Sequence, residues 1–277
     1  MTGRSRVLVA ALAVCALAAG ILLGSGPLRA GIGGNAAQTE ELLRAQAEAE
    51  AASALAAQGM DFADATGPSA VRGKLSGTSI ALVRTSDTSD EDLASASSHL
   101  VDAGAVIGST TALAPGWTDP DRVPFRDALA DQIVAALPEP PQGSTTEDVL
   151  ATALAQALAT GGEFDPEGQE RADTLWLLLT EAELVTGERS EVANMFVLVT
   201  PGGDVSTLAR AFAAESSGVL VGFTGTTPGE ATPASTVTNA AGFYGAWAVV
   251  GAAINLAGGI TGAYDASDAD ELIAGPS

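Results

Sequence analysis

Cysteine, histidine, lysine and aromatic side chains are all scarce in this sequence. Its 277 residues include one Cys and one His, and aromatics make up 4%. With Cys15 alone, no intramolecular disulfide can form, so an exported domain must hold itself together by its core. Lys and Arg total 12 against 34 Asp and Glu, a net charge of -22, and Lys74 is the single lysine. A chain this acidic repels nucleic acid and anionic lipid, because phosphate contacts require Lys and Arg. The acidity itself reads as a device for solubility.

The same scarcity bears on catalysis. A nucleophile triad built on imidazole has only His99 to draw on, in the middle of a predicted helix, and there is no G-x-S-x-G. Neither a Walker A sequence nor a G-x-G-x-x-G follows any predicted strand. Zinc sites need Cys and His clusters, which are missing. The expectation is a protein without catalytic residues and without a bound cofactor, not an enzyme. Metal ligands are unassigned. Asp265, Asp268, Asp270 and Glu271 have the chemistry to hold a hard cation weakly, but a solvated acidic tail explains 265–277 more simply.

What is plentiful is Ala and other aliphatic residues: the hydrophobic fraction is 47%. A core of small aliphatic side chains follows. The first apolar run, Val7 to Gly24, carries no charge and follows Arg4 and Arg6. Its length of roughly 27 Å just crosses a bilayer core. The arginines place residues 1–6 in the cytoplasm and the rest outside. A cleaved signal peptide is the rival reading. It is opposed by the length of the run and the lack of a clear small-x-small site before Ser25-Gly-Pro-Leu-Arg-Ala30. Cys15 is a membrane residue, since the chain stays apolar through Leu23 where a lipoprotein would turn polar.

Residues 36–58 are rich in Ala, Glu and Gln. Leu42, Ala45, Ala49, Ala52 and Ala56 fall at alternating spacings of three and four, the a/d pattern of a coiled coil. This predicts a stalk, with a homodimer or higher oligomer as its product and a plain helical spacer as the alternative. Gly59 and Gly67-Pro68 are expected to end the helix.

Beyond it, strands and helices alternate. Strands are predicted at 78–84, 104–112, 195–200 and 218–223. Helices are predicted at 89–102, opened by a Ser89/Asp92 capping box, and at 119–137, 146–160, 166–185 and 205–215. Pro138, Pro140 and Pro141 close the second of these helices, and Ser144 or Thr145 caps the third. Tyr244 to Gly251 reads as a fifth strand. The rival there is a second membrane span, which Asn255 and several glycines oppose. The expected fold class is α/β: a transmembrane helix, a coiled-coil stalk, and a mostly parallel-sheet extracytoplasmic domain over 74–264.

Several stretches, in order, resemble an actinobacterial family of envelope copper transporters, the MctB-like family. They are Ile21-Leu-Leu-Gly-Ser-Gly-Pro-Leu28, Gly73-Lys-Leu-Ser-Gly-Thr-Ser-Ile-Ala-Leu-Val-Arg-Thr85, Val197-Leu-Val-Thr-Pro-Gly-Gly203, Ala234-Ser-Thr-Val-Thr-Asn239, and Asn255-Leu-Ala-Gly-Gly259 through Tyr264. The resemblance implies copper efflux or copper resistance at the cell envelope, described for the family as an outer-membrane pore, with copper as the transported ion. The residues give that role little direct support. Copper favours Cys, Met and His, and Cys15, His99, Met1, Met60 and Met195 are scattered. One apolar helix makes no pore, and the domain lacks the ten-residue alternating strands of a barrel. The second expectation is therefore a bitopic scaffold that contacts a cytoplasmic or envelope partner, in the wall or at the septum, and moves nothing itself.

Overall fold

A computed structural model describes residues 35–137, 144–159, 166–225, 229–231 and 233–267. The expected cytoplasmic tail 1–6, the anchor 7–24 with Cys15, the prolines at 138, 140 and 141, and the acidic residues 268–277 lie outside them. Among the described residues, no helix is long and apolar enough to cross a membrane. The chain divides into two units, Met1–Phe62 and Ala63–Ser277.

Helix α1 (Asn35–Val71) covers the predicted stalk 36–58. It also runs through Gly59, Gly67 and Pro68, which were expected to end it. Gly and Pro lower helix propensity without forbidding the conformation, so Gly59 is carried and Pro68 is accommodated in the last turn. Every described side chain from 41 to 59 is exposed. The predicted seam of Leu42, Ala45, Ala49, Ala52 and Ala56 is therefore packed against nothing within the chain, and the coiled coil gains no support here.

The second unit is built on one seven-stranded sheet. Its strands are β1 (Ser79–Arg84), β2 (Val106–Leu113), β3 (Val185–Arg189), β4 (Met195–Thr200), β5 (Gly218–Phe223), β6 (Ser235–Thr238) and β7 (Ala263–Asp265), in the spatial order β3-β2-β1-β4-β5-β6-β7. All pairings are parallel except β2 with β3. Six of the helices are α2 (Asp90–Asp102), α3 (Val123–Val134), α4 (Thr146–Leu158), α5 (Pro166–Glu181), α6 (Ser206–Glu215) and α7 (Gly242–Ala257). Helices cover both faces, so β4 is buried at every position, as a central parallel strand must be.

Two cores result. One face packs Ala81, Val83, Phe196, Leu198 and Val221 against α3 to α6; Phe196 and Phe212 stack there with centroids 4.2 Å apart. The other packs Ile80, Leu82, Val197 and Leu220 against α2 and α7. Ala fills much of both, which brings backbones close and leaves little room for added volume. Two predicted caps are in place. Ser89 accepts from Asp92 N at 3.1 Å, and Thr145 forms a full capping box with Asp148.

Three predictions are corrected. Tyr244 to Gly251 is not a strand; it lies inside α7. The buried Ala246, Val249, Ala253 and Leu256 recur every three or four residues, the period of a helix with one face on the sheet. Helix α5 stops at Glu181, short of 185. Glu183 takes a positive φ of 55° and Val185 opens β3, a short polar strand that the sequence did not suggest. The helix predicted at 119–137 begins as a 3-10 turn at Pro120–Arg122 and becomes α-helical only at Val123.

Candidate functional site

In a doubly wound sheet, ligands bind beyond the carboxyl ends of the strands, where successive connections leave in opposite directions. Here that point lies between β1 and β4. The loop after β1, Thr85–Ser89, meets the loop after β4, Pro201–Val205. Three hydroxyls join them: Thr85 Oγ1 lies 3.2 Å from Thr88 Oγ1 and donates to Thr200 Oγ1 at 3.3 Å. Thr88, 4% exposed, donates to the Val199 carbonyl at 2.9 Å. Thr200 Oγ1 donates to Gly202 O and accepts from Gly202 N. Arg84 ties the first loop down, donating to Thr88 O at 2.9 Å and pairing with Asp90 at 2.8 Å. A Cβ at Gly229, in the segment after β5, would run into the Gly203 carbonyl, so only glycine lets that segment touch the loop after β4.

The electrostatics of this crevice decide what it can hold. Two helices begin there, and a free helix N-terminus would attract a phosphate. Both are already capped by the chain's own side chains: the Ser89 hydroxyl accepts from Asp92 N at α2, and the Asp204 carboxylate caps α6. Asp90, Glu91 and Asp92 fill the first turn of α2. Asp204 accepts from Ser206 N at 2.8 Å at the start of α6. The Ser206 side-chain hydrogen bond, its backbone bond and Arg210 together hold the Asp204 carboxyl below its usual range. The helix starts are thus capped by the chain itself, the threonines bond one another, and carboxylates crowd both helix starts.

A cavity of about 380 Å³ lies at the β2–β3 edge, lined by Ile107, Ser109, Thr110, Glu188, Arg189 and Ser190. It follows from a bulge. Ile80 pairs with Ile107 but Ala81 with Ser109, so Gly108 is an extra residue. The bulge points Ser109 and Thr111 to the α4–α5 face, with Arg189 beside Ser109. Arg189 donates to Ala157 O at 2.8 Å and pairs with Asp173, and its burial lowers its pKa. Ser109 and Thr111 are 3% and 0% exposed, and their hydroxyls have no partner among the described residues.

The residues with soft, copper-favouring donors do not converge. Met195 is 2% exposed in the core beneath α2 and α7. His99 stacks on Trp247 with centroids 4.2 Å apart and its Nδ1 3.7 Å from Asp102 Oδ2, so it is a packing residue between helices rather than a surface one. Met60 belongs to the other unit. Cys15 and Met1 lie outside the described residues. Among those residues no group of three or more His, Cys, Asp or Glu is placed to hold a metal ion. Asp265, the one described member of the C-terminal acidic cluster, accepts from Asn239 Nδ2 at 2.8 Å and from Ser267 N at 2.9 Å. It works as a turn cap. Asp268, Asp270 and Glu271 lie outside the described residues.

Sequence reasoning missed the threonine junction. A signal was present: Thr200 closes β4 and Thr85 directly follows β1, in Val-Leu-Val-Thr200 and Leu-Val-Arg-Thr85. Paired strands with hydroxyls at matching ends mark a junction once the two are known to be neighbours.

The family described as copper transport outer membrane protein, MctB, matches residues 3–273 of this chain. No curated protein sequence matches it. The match covers nearly the whole length, and the chain belongs to the MctB family.

Proposed function

We propose that the chain serves copper efflux or copper tolerance at the cell envelope as one subunit of a larger assembly, without catalysing a reaction. The observation that carries this reading is the family match over residues 3–273. Placement of the donors supports the subunit role. Met195 is committed to the core and His99 to an aromatic stack, so copper passes to other members of the assembly. Anchoring by residues 7–24 and self-association through α1 belong to the same proposal. The exposed row from Leu42 to Ala56 offers an unfilled surface to a second copy.

Deleting the gene is the direct test. Cell copper and copper sensitivity should both rise, and restoring the gene should reverse them. Unchanged copper tolerance in the deletant would sink the copper role. N-terminal sequencing of the mature protein should find residues 1–30 retained; loss of that segment would replace an anchor with a signal peptide.

The second reading is a scaffold that binds an envelope or cytoplasmic partner in wall or septum maintenance. It is favoured by the crevice, where among the described residues Ser89 and Asp204 cap the two helix starts and the threonines bond one another. Affinity purification with residues 1–71 as bait should then recover an envelope or division protein, while copper tolerance stays normal in the deletant. Recovery of no such protein would count against it.

A further inference from the structure

The last two turns of α1 belong to the second unit, where they are packed only shallowly. From residue 65 to 71 no side chain is buried; Gly67, Pro68 and Val71 are half-buried and the rest exposed. By contrast α7 buries eight residues. Val71 packs at the edge of the core that holds Ile80 and Leu82, and further up the segment Gly67 lies against the indole of Trp247. A Cβ at Gly67 would lie 2.5 Å from Trp247 Cη2, inside any tolerable distance. Trp247 cannot retreat freely, because His99 stacks on it and Phe243 meets His99 edge-on at 6.2 Å.

Several features weaken this seat together. Pro68 lies inside the helix and removes one backbone donor. Ser69 Oγ donates back to the Thr66 carbonyl at 2.7 Å, a bond that competes with the helical ladder. Trp247 Nε1 and His99 Nδ1 are both buried without a hydrogen-bond partner among the described residues, so the docked state leaves polar groups unsatisfied. Just downstream the chain is firmly held. Leu75 is 0% exposed and donates its N–H to Ala103 O at 2.9 Å. A weakly seated segment is thus hinged on a fixed point.

We infer that residues 65–71 form a displaceable strap, which swings off Trp247 about the 72–75 turn while the sheet and α7 stay folded. Undocking hydrates the Trp247 nitrogen, beside which Gly67 lies, and costs little apolar burial, so the opening is a local one, separate from global unfolding. Its function is to expose or cover the Trp247–His99 aromatic face. The inference is independent of the copper reading.

Amide hydrogen exchange on the full-length protein tests it, with residues 65–71 and 246–256 followed separately. The wild-type strap should exchange on the order of tenfold or more faster than the α7 amides. Gly67→Ala should remove the remaining strap protection and leave α7 protection within about twofold, with the indole emission of Trp247 shifting to the red as water reaches it. Gly251→Ala, on α7 with nothing within 4 Å of the added methyl, should leave the strap unchanged. Strap amides as protected as those of α7 in the wild type would overturn the proposal. So would a Gly67→Ala protein whose strap and α7 lose protection together.

Discussion

Single residues here are held by backbone carbonyls more than by one another. Arg126, 7% exposed, donates to Gly116 O at 3.0 Å and to Asp119 O at 2.6 Å, closing the 3-10 turns onto α3. Arg126→Ala leaves both carbonyls without their donor and should cost about 2–4 kcal/mol in a denaturant melt. Arg126→Lys should recover only part of this, since an ammonium lacks the planar fork. Asp265 gives a pH signature. Asn239, then Ser267 backbone and side chain, lower its pKa. A depressed carboxylate contributes stability above its unfolded value and loses it as pH falls through the folded one. Asn239→Ala should move the Asp265 midpoint up toward the ordinary carboxylate value in an NMR titration. An unmoved midpoint would remove Asn239 as the main cause. The caps at Ser89 and Asp92 were legible from the sequence because capping is local chemistry. Arg126 and Asn239 were not, since their partners depend on where a loop comes to rest.

At the level of elements, the sequence betrayed those whose pattern is unambiguous. Four predicted strands, at 78–84, 104–112, 195–200 and 218–223, fall within two residues of β1, β2, β4 and β5. Each is a short aliphatic run between turn residues. Tyr-Gly-Ala-Trp-Ala-Val-Val-Gly was misread because a wholly apolar stretch satisfies either period; the deciding information lay in the residues on either side of it. Strand β3 escaped because Val-Thr-Gly-Glu-Arg has one buried residue of five, and pairing with β2 supplies the rest of its stability. Two glycines check the corrected helix. Gly245→Ala drives a methyl into the Ala240 backbone, 2.6 Å from its Cα, and should cost about 2 kcal/mol or more. Gly251→Ala meets nothing within 4 Å and should stabilise by about 0.5–1 kcal/mol, as in any helix interior. Thermal melts of the two variants should move in opposite directions. A loss at both positions would speak against a helix there.

The whole molecule combines a conventional α/β architecture with an unusual charge. The strand order was not readable, because it depends on which face each connection crosses and the sequence patterns are identical either way. The crevice at the β1–β4 junction was therefore illegible too, although two of its three threonines, Thr85 and Thr200, stand at or next to the ends of predicted strands. The family was readable in the order of several short stretches, each of little weight alone. The proposed role in an assembly predicts that purified full-length protein, given Cu(I) or Cu(II) and then desalted, retains well under one equivalent of metal by elemental analysis. Retention of one equivalent would place copper on the chain itself and require donors brought together across copies.

The extra residue in β2 has a consequence for chain length. Gly108 adds to the backbone without changing which side chains face which layer, because Ile107 already opposes Ile80 and Ser109 already opposes Ala81. A version of this domain one residue shorter at that point keeps every core position. What it loses is an acceptor: the Gly108 carbonyl takes Ser190 N at 2.9 Å, Glu191 N at 3.0 Å and Ser190 Oγ at 3.1 Å. Single-residue gaps in an alignment of relatives are therefore tolerable here, and where one occurs, the end of the edge strand should have found another mooring.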